Sequence, residues 1–280
     1  MPNDPVAPAP LPPHPRVHTE DLRFRSGPRA QLRRGAKGGP IIAATLYLPA
    51  EASPGQPSRP ALVVGHGAGS RRVRHQVFAR EACLAGFIVL AIDFRGHGDS
   101  TGLLDGPVEE DILAAAALLR SHPLVDGRRI CYRGSSMGGY YGALAAPDAD
   151  FAAVALICAA DGPIMLHALD EKRDWAQAEA SGLVARLDEP ALRAYFEAHD
   201  VLAAAEYIEC PVLLIHTRED QLVPAQLSLD LAARLAGETH LLLLPGGDHS
   251  SAQGTPAVHR LVVEWLLKKV GGLDGLQPRM

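Results

Sequence analysis

Six short apolar runs constrain the fold of this chain more than any other feature. They are ALVVGH (61–66), FIVLAIDF (87–94), RRICYRG (128–134), FAAVALICAA (151–160), CPVLLIHT (210–217) and HLLLLPG (240–246). Runs this short, apolar without alternation, are expected of strands buried on both faces. Amphipathic stretches separate them. Arg71 to Ala85 sets Val73, Val77, Phe78 and Ala82 on one face, and Pro107 to Arg120 opens with proline and three acids. Pro224 to Ala236 repeats Leu227, Leu231 and Leu235, and Thr255-Pro256 starts a last helix to Val270. Such signals mark helix starts and apolar faces. Strand-helix alternation implies a mostly parallel sheet with helices on both faces. Ahead of it, HTEDLRFRS (18–26) and IIAATLYLP (41–49) read as two strands joined through RGAKGG.

The rhythm fails once. Between Asp161 and Cys210 about fifty residues carry no strand signal, and they read as a helical cap inserted into the sheet. The expected organisation is a disordered Pro-rich tail over 1–16, a core over 17–160 and 211–272, and a cap over 161–210. With 280 residues, 47% hydrophobic, one such unit buries a sizeable core. The first sixteen residues hold seven prolines and lack the cationic start and apolar centre of a signal peptide. No run reaches membrane-spanning length, and a net charge of −5 without basic clusters argues against nucleic acid. Four widely spaced cysteines without a CxxC fit buried thiols in a reducing cytoplasm, and neither a disulfide nor a metal site is expected.

The chemistry is concentrated at strand ends. In YRGSSMGGYYG (132–142), Gly-x-Ser-x-Gly fits one frame only, Gly134-Ser136-Gly138. That frame sets a serine on a sharp strand-to-helix turn, where glycines are needed because backbones crowd. A serine hydroxyl needs a base, and the base needs an orienting acid. Asp220 follows the run ending at Thr217, and His249 follows the run ending at Gly246, so all three fall on the carboxyl edge of a doubly wound sheet. Glu219 and Asp161 are rivals for the acid. His216 and His240 lie within strand runs and read as packing, and His259 belongs to the last helix. The Met137 N–H, at a helix start, and the Ala68 N–H, in the glycine turn VVGHGAGS (63–70), are the expected donors to a developing oxyanion. His66 shapes that turn. Arg71, Arg72, Arg74 and His75 beside it read as a solvated helix face or as a reader of an anionic group. Trp175, Phe196 and Met165 in the cap are expected to line a substrate pocket, against the alternative that cap aromatics pack the cap onto the core.

On HGAG after the third strand, DFRGHGDS (93–100), GSSMGG at the elbow, and the Asp220 and His249 pair, the chain resembles the α/β-hydrolase superfamily over roughly 18–270. It is most similar to bacterial esterases with a short helical cap, including cinnamoyl-esterase-like and serine-aminopeptidase-like members. The resemblance implies eight strands, a Ser-His-Asp triad, and hydrolysis of esters, amides or thioesters without a cofactor. It marks His97, in RGHGDS, as a loop brace. Esters lead only as the commoner substrates of that superfamily, with amide or peptide cleavage and acyl transfer left open. The partner implied is a small-molecule ester, and a homodimer stays open. A dehalogenase would need aspartate at position 136, and GHGAGS lacks the third glycine of a dinucleotide fingerprint.

Overall fold

The computed structural model describes residues 8–27, 38–171 and 186–272. Its eight strands are β1 (Val17–Arg25), β2 (Ile41–Pro49), β3 (Arg59–Gly65), β4 (Ile88–Ile92), β5 (Val125–Ser135), β6 (Ala153–Ile157), β7 (Val212–Thr217) and β8 (Thr239–Leu244). They form one sheet in the order β1-β2-β4-β3-β5-β6-β7-β8. The β1–β2 and β2–β4 pairs are antiparallel, and β4 through β8 run parallel. The two strands read ahead of the alternation are therefore the antiparallel edge of an otherwise parallel sheet.

The described helices are α1 (Gln76–Leu84), α2 (Glu109–Ser121), α3 (Met137–Ala149), α4 (Gly162–Glu171), α5 (Glu189–Ala198), α6 (Val201–Ala205), α7 (Gln226–Arg234), α8 (Ser251–Gly254) and α9 (Pro256–Lys269). A 3-10 turn, Arg72–His75, leads into α1. Two apolar layers result. On one face α2, α3, α7 and the helices between β6 and β7 cover Val63, Leu90, Tyr132 and Leu156. On the other α1 and α9 cover Leu62, Val64, Cys131 and Ile215. Central strands β3, β4 and β6 are buried throughout, as unbroken apolar runs require. β8 departs from that expectation. Its leucines are only half-buried because β8 is the sheet's edge.

The segment between β6 and β7 is helical where described and is pinned to the core. Leu104 and Leu187 form a parallel bridge, with Leu104 N–H donating to Arg186 O at 2.9 Å. Tyr195 donates to Glu109 Oε2 at 2.6 Å and Tyr140 to His199 O at 3.0 Å. The Pro-rich stretch, expected as a disordered tail, is docked from residue 8 onward. The Gln76 side chain accepts from Leu11 N–H and donates to Ala9 O, both at 2.8 Å, and Arg80 donates to Pro12 O. Among the described residues no helix is long and apolar enough to cross a membrane.

Candidate active site

β5 ends in a turn that the sequence there is built to make. Ser136 takes φ 52° and ψ −119°, a conformation a non-glycine residue adopts only when its surroundings enforce it. The surroundings are backbone. Ser136 N–H donates to Ile157 O on β6 at 2.9 Å, and Ser136 O accepts from Gly139 and Tyr140 N–H at 2.8 and 3.0 Å. A Cβ on Gly134 would collide with the Gly138 carbonyl, and one on Gly138 would stand 2.6 Å from His66 O. The glycines around the serine are thus required by close approach of β5, α3 and the β3 turn. Ser135 is fully buried with its hydroxyl unpartnered.

Asp220 and His249 meet at the same edge. His249 Nδ1 donates to Asp220 Oδ2 at 2.7 Å, while Asp220 Oδ1 accepts the N–H groups of Leu222 and Val223 at 2.9 Å. Burial pushes the Asp220 carboxyl up, but hydrogen bonds from His216, His249 and the Val223 N–H outweigh it and hold the group well below the usual carboxylate range. The rivals have other work. Asp161 accepts the Ile164 N–H at the start of α4, and Glu219 is exposed. His240 pairs with Glu238 and His259 with Glu81.

His216 is more than packing. Its Nε2 lies 3.3 Å from Asp220 Oδ2 and 2.9 Å from Val223 O, and Ser228 Oγ sits 2.7 Å from Nδ1. With Ser228 donating to Nδ1, the Nε2–H faces both Val223 O and the carboxylate. The four-residue spacing to Asp220 was visible in sequence, but only the turn after β7 folds it back. Cys158 adds a third neighbour. Its backbone is also left-handed, at φ 45°, and its thiol, pushed up to about 12 by burial, reaches Thr217 and Asp220. Ligand-type atoms of Cys158, Asp220 and His249 lie within 4.8 Å of one another.

The β3 turn arches over the serine. A Cβ on Gly67 would lie 3.3 Å from Ser136 Cβ and 3.9 Å from its Oγ. Ser70 N–H closes the turn on Gly67 O at 3.2 Å, leaving Ala68 exposed at its crest. His66 holds the turn from beneath, bonding Gly67 O through Nδ1 at 2.7 Å and accepting Phe94 N–H at Nε2. Burial lowers the His66 ring to about 4 and the adjacent His97 ring to about 3, so both are neutral braces. Arg72 is neither solvated nor free for a ligand. It binds fully buried Asp93 and lies 2.9 Å from Asp99, and Asp93 also takes the N–H groups of Arg72 and Asp99. That network gives DFRGHGDS its physical role of locking the turn.

The cap residues divide. Met165 and Phe196 are each 3% exposed and join the core beneath α3, with the Phe196 ring 5.6 Å from Tyr140, edge to face. Their contacts are those of packing residues, as the alternative for cap residues has it. Trp175 lies outside the described residues.

An eight-stranded sheet of this order, with a strained serine at a strand-to-helix turn and an Asp-held histidine at the same edge, defines an α/β-hydrolase of the serine-hydrolase class. Within it the chain belongs to the prolyl oligopeptidase family, whose pattern matches residues 72–273. It is similar to the quorum-quenching protein AidA of Acinetobacter baumannii, 40% identical over 106 residues that make up 35% of each chain. It is 28% identical over 201 residues to the mitochondrial palmitoyl-protein thioesterase ABHD10 of Mus musculus, covering 62% of this chain and 63% of that one. The chain thus spans between a third and two thirds of these curated relatives. The structure of acetyl xylan esterase 1 from Thermoanaerobacterium superposes with a TM-score of 0.67 at 19% identity, over 92% of this chain and 85% of that one.

Proposed function

We propose that the protein hydrolyses carboxylic esters through an acyl-enzyme. One observation carries the reading: Asp220 fixes the His249 tautomer at 2.7 Å on the sheet edge where Ser136 is held in a strained turn. With Nδ1–H donated to Asp220, His249 keeps its Nε2 lone pair for the serine proton. Ser136 Oγ then bonds to the acyl carbon as its proton passes to His249 Nε2. The tetrahedral oxyanion is met by the N–H groups of Met137 and Ala68. Met137 stands in the first turn of α3, whose N–H groups have no intrahelical acceptor and whose dipole favours negative charge. Collapse expels the alcohol, which takes the proton from His249. Water, deprotonated by the same imidazole, attacks the acyl-enzyme, and the reverse collapse frees the acid and Ser136.

Amide or peptide cleavage on the same groups is the second reading, favoured by the family the chain belongs to. The thioesterase and acetyl xylan esterase likenesses point toward acyl–sulfur and acyl–oxygen bonds instead. A panel of p-nitrophenyl esters, acyl thioesters and aminoacyl anilides separates them. The ester reading requires kcat/KM on esters to exceed that on anilides by about two orders of magnitude or more. Anilide turnover equal to ester turnover rejects it.

A further inference from the structure

The residue immediately before the elbow glycine is a fully buried arginine. Arg133 Nη1 lies 2.9 Å from His75 Nδ1, Nη2 donates to Gln253 O at 2.9 Å, and the guanidinium stands 5.0 Å over the Phe78 ring. No carboxylate of the described residues lies within ion-pair distance of it, unlike Arg72 and Arg95, which each bind a buried aspartate. Burial lowers its pKa to about 10, so it stays charged at neutral pH. A buried cation without a counter-charge is costly, by several kcal/mol of desolvation before compensation. Apolar side chains occupy the same face of β5 at Cys131 without that cost.

What the guanidinium holds is specific. Gln253, on α8, donates its side-chain N–H to His249 O at 3.0 Å. Arg133, Gln253 and His249 therefore form a continuous chain of hydrogen bonds. It begins on β5 three residues before Ser136 and ends on the backbone of the histidine. A planar fork with several fixed donors suits this task, since it spans His75 and Gln253 at once where an ammonium would not.

We propose that Arg133 and Gln253 are positioning residues that fix His249 to the strand carrying Ser136. Asp220 sets the rotation of the imidazole, and Gln253 sets where the ring stands. The proposal rests on Ser136 and His249 being the reacting pair. Reaction geometry is sensitive to this, because displacing a catalytic group by about 1 Å costs on the order of 10²-fold.

The test is Gln253→Met, which removes the donor and keeps the length at a half-buried position. Labelling of Ser136 by a fluorophosphonate, kcat and KM for p-nitrophenyl acetate, and the downfield proton resonance of the His249–Asp220 bond are read together. Labelling rate and kcat fall about 10- to 100-fold while KM stays within about twofold, and the bridging proton persists. Arg133→Lys, which keeps the charge and loses the fork, falls in the same direction with the same split between kcat and KM. Wild-type labelling and turnover in Gln253→Met overturn the proposal. So does a loss of turnover that matches a loss of folded protein by circular dichroism. Absence of labelling at Ser136 in the wild type overturns the underlying assignment as well, so the two failures are distinct.

Discussion

His249 Nδ1 stands 2.7 Å from Asp220 Oδ2 although 29 positions separate the two residues. β7 and β8 are parallel neighbours, so the loops that follow them emerge side by side. The carboxylate is saturated: two backbone N–H groups on one oxygen, and two histidines around the other. Asp220→Asn keeps the volume but offers an amide N–H where the acceptor stood, or flips away from the backbone donors. Esterase activity should fall by about three to four orders of magnitude with the fold retained. Activity assays beside far-UV circular dichroism check this. Near-normal turnover in Asp220→Asn, with loss in Asp161→Asn, would move the acid to Asp161.

Ser136→Ala removes the hydroxyl and relieves nothing else, because the strained turn is held by backbone bonds to Ile157, Gly139 and Tyr140. Turnover should drop by about three to six orders of magnitude while thermal stability changes little. Mass spectrometry of the fluorophosphonate adduct locates the nucleophile. An adduct on Ser135, whose side chain is fully buried, would contradict the geometry of the elbow.

The turn above the serine has little spare room. Gly67→Ala would put a methyl group 3.3 Å from Ser136 Cβ and 3.9 Å from Oγ. The backbone φ there is not left-handed, so the cost falls on the site rather than on the fold. The expected outcome is a loss of about 10- to 200-fold in kcat/KM, larger for branched acyl groups than for acetyl. Equal activity on both acyl groups would place the acyl chain on the other side of Ser136.

Buried histidine rings tie stability to pH, His66, His75 and His97 among them. His66 and His97 are lowered to about 4 and about 3 by burial, whereas in the unfolded chain a histidine takes its proton near 6.5. Between those values the unfolded state binds more protons, so stability is complete above about 6.5 and is lost as pH falls toward 4. Each pH unit of that interval costs about 1.4 kcal/mol per ring. Urea melts at pH 7, 6 and 5 should show a falling midpoint. His97→Asn should lower the slope by the contribution of one ring, and an unchanged slope would show that His97 is protonated in the folded state.

Much of this site was legible because buried strands announce their ends. Ser136, Asp220 and His249 each follow an apolar run by a few residues, and a parallel sheet brings such ends to one edge whatever the sequence distance. Residues whose role depends on register or on long-range contact were not legible. His216 reads as a strand residue until the turn at Asp220 folds back on it, and Arg133 reads as one more arginine in a chain that holds 23 of them. The docking of Pro8 to Pro12 depends on Gln76, 65 positions from Leu11, which no local pattern reports. β8 reads as buried because leucine content shows affinity for a core, not position within a sheet.

Phe196 tests what the segment between β6 and β7 does. Its ring lies edge-on to Tyr140 at 5.6 Å and packs near Tyr141 at 6.4 Å, both on α3, the helix that begins at the elbow. At 3% exposure it presents almost nothing to a ligand. Truncation to alanine should leave a cavity beneath α3 and cost about 3–5 kcal/mol, a range set by how far the site can collapse. Because the loss is one of support, kcat/KM for short and long acyl esters should fall by the same factor, and the melting temperature should drop. A wall of the acyl pocket would behave otherwise: the ratio between the two esters would move by about 10-fold or more for a lost apolar contact, with stability less affected. Parallel measurement of p-nitrophenyl acetate, p-nitrophenyl octanoate and thermal unfolding separates the two. A changed ratio in Phe196→Ala would return this residue to the substrate's path despite its burial.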